Sequence, residues 1–194
     1  MIRFFLILGI TVFAALGIWQ VGKAGLLAAK AWAAPIMIEH AFLQSETLGK
    51  PVKPWSWSDA YPVAKIDVPK LGVHRYVLSD ANMRNLAFGP SLQKVGDHRV
   101  IFAHRDTHFH FLREMALEDR VSFKFAGLPE EKWTIAKFDI VSAGDLSIPE
   151  DVGEELILLV TCYPFEGLFE DADQRFVAWL IREENGAVNE VTTS

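Results

Sequence analysis

The residues Glu-Leu-Ile-Leu-Leu-Val-Thr-Cys-Tyr-Pro-Phe, at positions 155–165, include the only cysteine of the chain. Residues 156–161 form a short apolar run rich in strand-forming side chains, and Pro164 must end it because proline has no N–H to donate to a sheet ladder. Cys162 is therefore predicted at the end of a buried strand. A thiol held there by the strand and open to the following loop suits a nucleophile. On this stretch alone, a buried structural cysteine is the favoured interpretation.

Chain length, hydrophobic content and net charge indicate how many domains the chain forms and which partners are excluded. With 194 residues, of which 51% are hydrophobic, the chain can form one domain with a full core and a further segment. Its net charge is -6 and it has no long basic cluster. This balance argues against nucleic acid or an anionic lipid surface as a general partner.

The further segment is N-terminal. Residues 4–21 carry no charge, and as a helix they would extend about 27 Å, close to the thickness of a bilayer's hydrocarbon core. We expect residues 1–24 to be a transmembrane anchor, with the N-terminus inside and the remainder outside. A cleaved signal peptide is the alternative, since Ala31-Trp32-Ala33 resembles a cleavage site, but that site lies far beyond the apolar segment.

A connecting region, residues 25–60, is expected next. Residues 25–48 have apolar side chains near helical spacing, and Pro35 is expected to kink or divide that helix. A connector with two prolines and two tryptophans follows and keeps the chain extended. Trp55 and Trp57 could rest at a membrane surface or pack on the domain, and the sequence leaves both open.

Residues 61–194 form the predicted domain. Here short strand-like segments alternate with turns, and helical turns fit at 82–88 and 110–116. This pattern predicts a mainly β domain, either a barrel or a sandwich. The predicted strands are residues 63–68, 73–78, 99–103, 120–125, 133–141, 156–162 and 175–182.

Two further residues lie at the ends of predicted strands, as Cys162 does. His104 directly follows a predicted strand, and Arg175 opens the strand after the one that ends in Cys162. If those last two strands form a hairpin, Arg175 returns to the rim where Cys162 lies. Taken singly, each residue has a simpler explanation: a satisfied histidine, a surface arginine and a core thiol.

Three motifs occur in this order: Ala-His-Arg-Asp-Thr-His-Phe at 103–109, Leu-Val-Thr-Cys-Tyr-Pro-Phe at 159–165 and Gln-Arg-Phe-Val at 174–177. Together they resemble the sortases, which are membrane-anchored cysteine transpeptidases built on a closed β-barrel of about eight strands with short helices. Residues 66–73 and 88–90 also resemble that family. The likeness extends over about residues 63–180. Within the family, the motifs are similar to those of Gram-negative sortases and of classes C and D.

The resemblance implies a reaction and a location. Cys162 would attack a carbonyl of a Leu-Pro-x-Thr-Gly-like signal at the C-terminus of a substrate protein, forming a thioacyl enzyme. An amine acceptor in the cell envelope would then take the acyl group, with His104 as acid and base and Arg175 holding substrate and oxyanion. No cofactor is implied. The catalytic domain would face the periplasm from a single span, residues 4–21, in the inner membrane.

The motifs depart from the family at two positions. Leu158 stands where sortases usually have threonine, and Ala103 stands where they have glycine before the histidine. Neither change removes a reacting group. Ala103, Thr161, Tyr163 and Phe165 are the weaker candidates for substrate contact.

Metal chemistry is the less favoured interpretation of the histidines. His104, His108 and His110 with Asp106 have partly helical spacing, but Asp106 and Thr107 indicate a turn. We therefore predict no metal site. The acidic residues between Cys162 and Arg175 are expected to form a solvated loop, with calcium binding or substrate selection as lesser alternatives. They are Glu166, Glu170, Asp171 and Asp173, and the apolar residues among them, Leu168 and Phe169 with Phe165, are candidates to line a groove.

Two other function classes stay open. One is a different periplasmic cysteine peptidase or hydrolase, but L,D-transpeptidases carry Gly-Cys-x-Arg and papain-like enzymes place the cysteine before the histidine. The other is a non-catalytic, membrane-tethered β-barrel binding domain, which requires His104, Cys162 and Arg175 to lie apart. A single cysteine also leaves no internal disulfide to form in an oxidising compartment.

Overall fold

A computed structural model describes residues 2–148, 153–166 and 173–183. Its strands form a closed barrel in the order β1-β2-β3-β4-β7-β8-β6-β5. This confirms the prediction of a mainly β, eight-stranded closed barrel with short helices. The strands are β1 Pro62–Val68, β2 Val73–Ser79, β3 Ser91–Val95, β4 His98–Phe102, β5 Arg120–Phe125, β6 Glu130–Ser142, β7 Leu156–Tyr163 and β8 Gln174–Arg182.

The helix α1 runs from Ile2 to Leu48 without interruption and contains Pro35. The expected division at Pro35 is therefore wrong. Proline removes one backbone hydrogen bond there, but the residues that follow are held by the barrel. Ile38 is 2% exposed and packs with Ala60 and Leu78, and Glu46 forms a 2.8 Å salt bridge with Lys124.

Within residues 2–148, 153–166 and 173–183, no helix has both the length and the apolar character that a bilayer span needs.

The two tryptophans of the connector differ in their surroundings. The Trp55 ring lies 5.1 Å from the Phe88 ring and packs beside the cluster of Ile38 and Leu78. Trp57 is 74% exposed. Of the two alternatives left open by the sequence, packing on the domain holds for Trp55.

The barrel is apolar on the inside, and on one side it is apolar on the outside as well. Ile157 and Leu159 of β7 belong to the interior cluster, while Leu158 and Val160 belong to an outer cluster. A strand buried on both faces shows a continuous apolar run rather than alternation, which explains the sequence of β7. The segment before β7 provides part of the outer cover through Leu146 and Ile148.

Two short helices lie where helical turns were expected. The helix α2, Met83–Leu86, begins at Asn82, whose side chain accepts hydrogen bonds from two backbone N–H groups. A 3-10 helix covers His110–Glu114. The strand β3 was not predicted because Ser-Leu-Gln-Lys-Val has neither an apolar run nor a clear alternation.

Candidate active site

The pairing of strands brings the three predicted catalytic residues to one place. The strands β7 and β8 are antiparallel, and their register sets Cys162 opposite Arg175. The strands β4 and β7 are parallel, with Phe102 paired to Val160. The Ala103 N–H donates to the Val160 carbonyl at 3.2 Å, so the ladder continues past β4 and brings His104 beside Cys162.

Cys162 and Arg175 also share a face. Val160 and Val177 are paired and belong to the outer cluster. Because side chains alternate along a strand, Cys162, two residues after Val160, and Arg175, two residues before Val177, lie on that same outer face. The thiol is thus at the end of the apolar outer surface rather than inside the barrel.

The exposure of the three groups fits a reactive site. His104 is exposed, whereas Cys162, a free thiol, and Arg175 are half-buried. One Arg175 N–H donates to the Gln174 carbonyl at 3.0 Å. Arg175 is a permanent cation, and it lies across the ladder from the only thiol of the chain.

Thr161 and Ala103 hold the two strand ends together. The Thr161 hydroxyl donates to the Ala103 carbonyl at 2.8 Å, and these residues are only 2% and 7% exposed. The hydroxyl thus fixes the residue before His104 to the residue before Cys162. Contact of Thr161 and Ala103 with substrate stays a prediction.

Arg105 makes a second connection of this kind, which the sequence analysis did not single out. It is 7% exposed, and its guanidinium donates to the Pro164 carbonyl and, at 3.1 Å, to Asp106. The loop after His104 is thereby tied to the loop after Cys162. The only signal in the sequence was its place directly after the histidine.

Tyr163 and Phe165 lie in an aromatic cluster with Phe176 and Phe138. The ring of Phe176 lies 5.0 Å from that of Phe165, 6.4 Å from that of Tyr163 and 5.2 Å from that of Phe138. Phe165, Phe176 and Phe138 pack against the interior core. Tyr163 and Phe176 are the strand neighbours of Cys162 and Arg175, so their side chains point to the opposite face. Both residues are half-buried, and their expected contact with substrate stays a prediction.

Only part of the predicted acidic loop between Cys162 and Arg175 belongs to the described residues. Glu166 and Asp173 are exposed. The predictions for Leu168, Phe169, Glu170 and Asp171 lie outside the described residues.

The histidines after β4 do not form a cluster of metal ligands. Across the described parts of the chain, no group of three or more His, Cys, Asp or Glu side chains is arranged to hold a metal ion. Burial lowers the pKa of His108 to about 4, and the nearby charges of Arg75 and His104 act in the same direction. His108 is therefore neutral near pH 7. It lies near both Arg75 of β2 and His104.

A barrel that sets a free thiol, a histidine and an arginine together defines a cysteine enzyme of the acyl-transfer class. Residues 66–182 match the family model described as Sortase domain. The chain therefore belongs to the sortase family, and it is a cysteine transpeptidase. Sortases act on a substrate protein with a sorting signal and on an amine acceptor.

Solved sortase structures share the fold. Sortase A from Corynebacterium diphtheriae is 16% identical, with a TM-score of 0.58 over 88% of this chain and 98% of that one. The sortase D5 transpeptidase from Clostridium perfringens is 15% identical, with a TM-score of 0.59 over 80% and 99%. Sortase C1 from Streptococcus agalactiae is 19% identical, with a TM-score of 0.53 over 63% and 68%. No curated protein matches the sequence significantly.

Proposed function

We propose that this sortase cleaves a Leu-Pro-x-Thr-Gly-like signal at the C-terminus of a substrate protein and joins the new carboxyl end to an amine in the cell envelope. The observation that carries the proposal is the register that sets Cys162 opposite Arg175, with His104 on the other side of Cys162. The arrangement also argues against a binding domain without catalysis, because binding alone does not require a thiol, an imidazole and a guanidinium at one place.

The three side chains divide the reaction between them. The Cys162 thiolate attacks the scissile carbonyl carbon, and Arg175 donates hydrogen bonds to the oxygen that becomes negative. His104 gives its proton to the departing amine as the C–N bond breaks, which leaves a thioester on Cys162. An acceptor amine then attacks the thioester, His104 takes a proton from it, and the thiolate leaves. Water in place of the amine would give hydrolysis.

The outer face of the barrel supports an apolar signal. The outer cluster reaches the strand ends through Phe102, Val160 and Val177, and Leu146 and Ile148 pack beside it. A leucine and a proline of the signal would bury apolar surface on this face while the scissile bond lies at Cys162.

Anchoring to the inner membrane through residues 4–21, with the barrel in the periplasm, is part of the proposal. Its support is the charge-free sequence of those residues and their place at the start of a long helix. A reporter fused after Ser194 tests it. Alkaline phosphatase is expected to be active there, and a cytoplasmic reporter is expected to be inactive; the reverse pattern would overturn the orientation.

The reaction is tested with the full chain in detergent, a library of Leu-Pro-x-Thr-Gly-like peptides and a primary amine. Mass spectrometry should detect a peptide shortened at the signal and joined to the amine. Cys162→Ala should give no product, and Cys162→Ser should give at most a trace, because serine is a far weaker nucleophile at neutral pH. Product from both variants at the wild-type rate would exclude the proposal.

A further inference from the structure

A cavity of about 400 Å³ lies at the same end of the barrel as His104. Its walls come from α1, from β2, from the turn at 89–90 and from the loop that follows His104. Such a volume is in the range of small-molecule sites. The polar residues that line it are Glu39, His74, Arg75, Tyr76, Thr107 and His108.

The strand pairing explains why this space is open. The strands β2 and β3 pair only at Leu78 with Ser91 and at Ser79 with Leu92. The earlier part of β2 therefore has no partner strand on that side, and the turn before β3 stands there instead. A Cβ added to Gly89 would lie 3.1 Å from the Tyr76 carbonyl oxygen, so glycine lets this turn approach β2 and form the floor of the cavity.

Arg75 provides the positive charge of the cavity. Burial lowers the pKa of its guanidinium, which remains a cation at neutral pH. One of its N–H groups donates to the His74 carbonyl at 2.7 Å. Among the salt bridges of the described residues, none includes Arg75. An arginine so placed is suited to a carboxylate, which it can bind through two parallel hydrogen bonds.

His108 connects the cavity to the reaction. It lines the cavity, and it is close enough to both Arg75 and His104 for their charges to act on it. A neutral imidazole can accept a hydrogen bond from an amine without repelling its positive form. The opposite wall has Glu39, whose carboxylate accepts a hydrogen bond from the Tyr76 hydroxyl at 3.1 Å. His104 is thus a neighbour of His108, which lines this cavity, and the strand ladder places it beside Cys162.

We propose that the cavity binds the acceptor, and that the acceptor is an amine that also carries a carboxylate. The inference rests on the proposed transpeptidation. The carboxylate would pair with Arg75, and the amine would extend past His108 to His104 and the thioester on Cys162. In the second step the amine nitrogen forms the new amide bond, its proton passes to His104, and the Cys162 thiolate leaves.

The test is a series of acceptors: glycine, β-alanine, 4-aminobutyrate and 6-aminohexanoate, each beside its carboxamide. The rate at which each acceptor resolves the thioacyl enzyme is measured against its concentration. For at least one length, the acid should half-saturate the enzyme at a concentration about tenfold or more below that of its amide, a difference of about 1.4 kcal/mol. Equal values for acid and amide at every length would overturn the proposal.

Variants separate this site from the chemistry at Cys162. Arg75→Gln should abolish the preference for the acid, while Arg75→Lys should keep part of the preference. Arg84→Gln is the matched control, since that side chain is 85% exposed and pairs with Asp59 away from this cavity. Loss of the preference in the control, or its survival in Arg75→Gln, would contradict the assignment.

A binding measurement distinguishes the two proposals. The Cys162→Ala chain, which cannot be acylated, is titrated with the preferred amino acid and with its amide while the NMR signals of the His108 ring are followed. Shifts caused by the acid alone, without any thioacyl formation in the wild type, would retain the cavity and overturn the proposed function. Thioacyl formation without such shifts would retain the function and overturn the cavity.

Discussion

Cys162 of β7 lies directly opposite Arg175 of β8 in the antiparallel ladder of the barrel. A residue pair of this kind is held at a nearly fixed separation by the backbone hydrogen bonds on either side. The sheet itself therefore positions the proposed oxyanion donor, Arg175, relative to the proposed nucleophile, Cys162. This arrangement makes the role of Arg175 sensitive to the geometry of its side chain as well as to its charge.

Arg175→Ala should lower the rate of thioacyl formation by about 100-fold to 1,000-fold, the usual cost of removing an oxyanion donor. Arg175→Lys keeps the charge but loses the planar fork, so we expect an intermediate loss. The rates are measured by quenched-flow mass spectrometry at saturating peptide. Arg113→Ala, at an exposed arginine outside this ladder, is the control and should retain the wild-type rate. A wild-type rate for Arg175→Ala would show that the oxyanion is stabilised elsewhere.

Thr161→Val should destabilise the protein by about 1–3 kcal/mol, because the buried Ala103 carbonyl loses its hydrogen-bond donor. Thr161→Ser keeps the hydroxyl and should lose less. Urea unfolding followed by tryptophan fluorescence measures both changes. Equal stability of the valine variant and the wild type would show that this hydrogen bond does not hold the two strand ends together.

Arg105 is a positioning residue, and its loss should act on the chemistry more than on binding. Arg105→Met removes the hydrogen bond to the Pro164 carbonyl while retaining much of the buried side chain. We expect kcat to fall by about tenfold with KM nearly unchanged, and to be partly recovered in Arg105→Lys. A variant with unchanged kcat and a raised KM would place Arg105 in substrate binding instead.

The lowered pKa of His108 predicts a specific pH dependence of the free energy of unfolding. Its pKa falls from about 6.5 in the unfolded chain to about 4 in the folded protein. Between these values the unfolded chain binds the additional proton, so acid favours unfolding, and the free energy of unfolding should decrease as the pH falls from 6.5 to 4. With a discount for the part of the ring that water reaches, this contribution is about 2 kcal/mol.

The comparison is between the wild type and His108→Gln, unfolded by urea at several pH values. The glutamine variant should lose less stability between pH 6.5 and pH 4, and the two curves should run parallel above pH 7. Parallel curves over the whole range would show that His108 is not held neutral by its surroundings.

Much of the barrel could be predicted from the local sequence pattern. Period-two segments such as Arg120–Phe125, and the apolar run that ends at Pro164, give strands within a residue or two of their observed bounds. The hairpin that joins Cys162 to Arg175 was also predictable, because consecutive antiparallel strands usually pair. Local patterns did not predict β3, whose five residues are mostly polar and form a strand by pairing with β4 and, at Ser91 and Leu92, with β2.

The three candidate reacting groups could be named from the sequence, but the residues that support them could not. Strand-end positions and the resemblance of their motifs to sortases pointed to His104, Cys162 and Arg175, and the strand register brings these residues together. Their roles in the reaction stay predictions. The roles of Thr161 and Arg105 depend on contacts with residues more than fifty positions away, which no local pattern encodes. The cavity at Arg75 likewise depends on α1 packing beside β2. Proline's intrinsic propensity suggested a kink or a division at Pro35; the division is not observed, because the barrel holds the residues that follow.

Cys162 is expected to form a thioacyl intermediate with Arg175 and His104 beside it. The decisive measurement is the intact mass of the full chain after brief acid quenching in the presence of the signal peptide, with the site of the adduct mapped by proteolysis. We expect an adduct on Cys162 that equals the N-terminal part of the signal and disappears when an amine is added. If a folded chain with an alkylatable Cys162 cleaves the signal without any adduct on that thiol, the reaction does not proceed through a thioacyl enzyme.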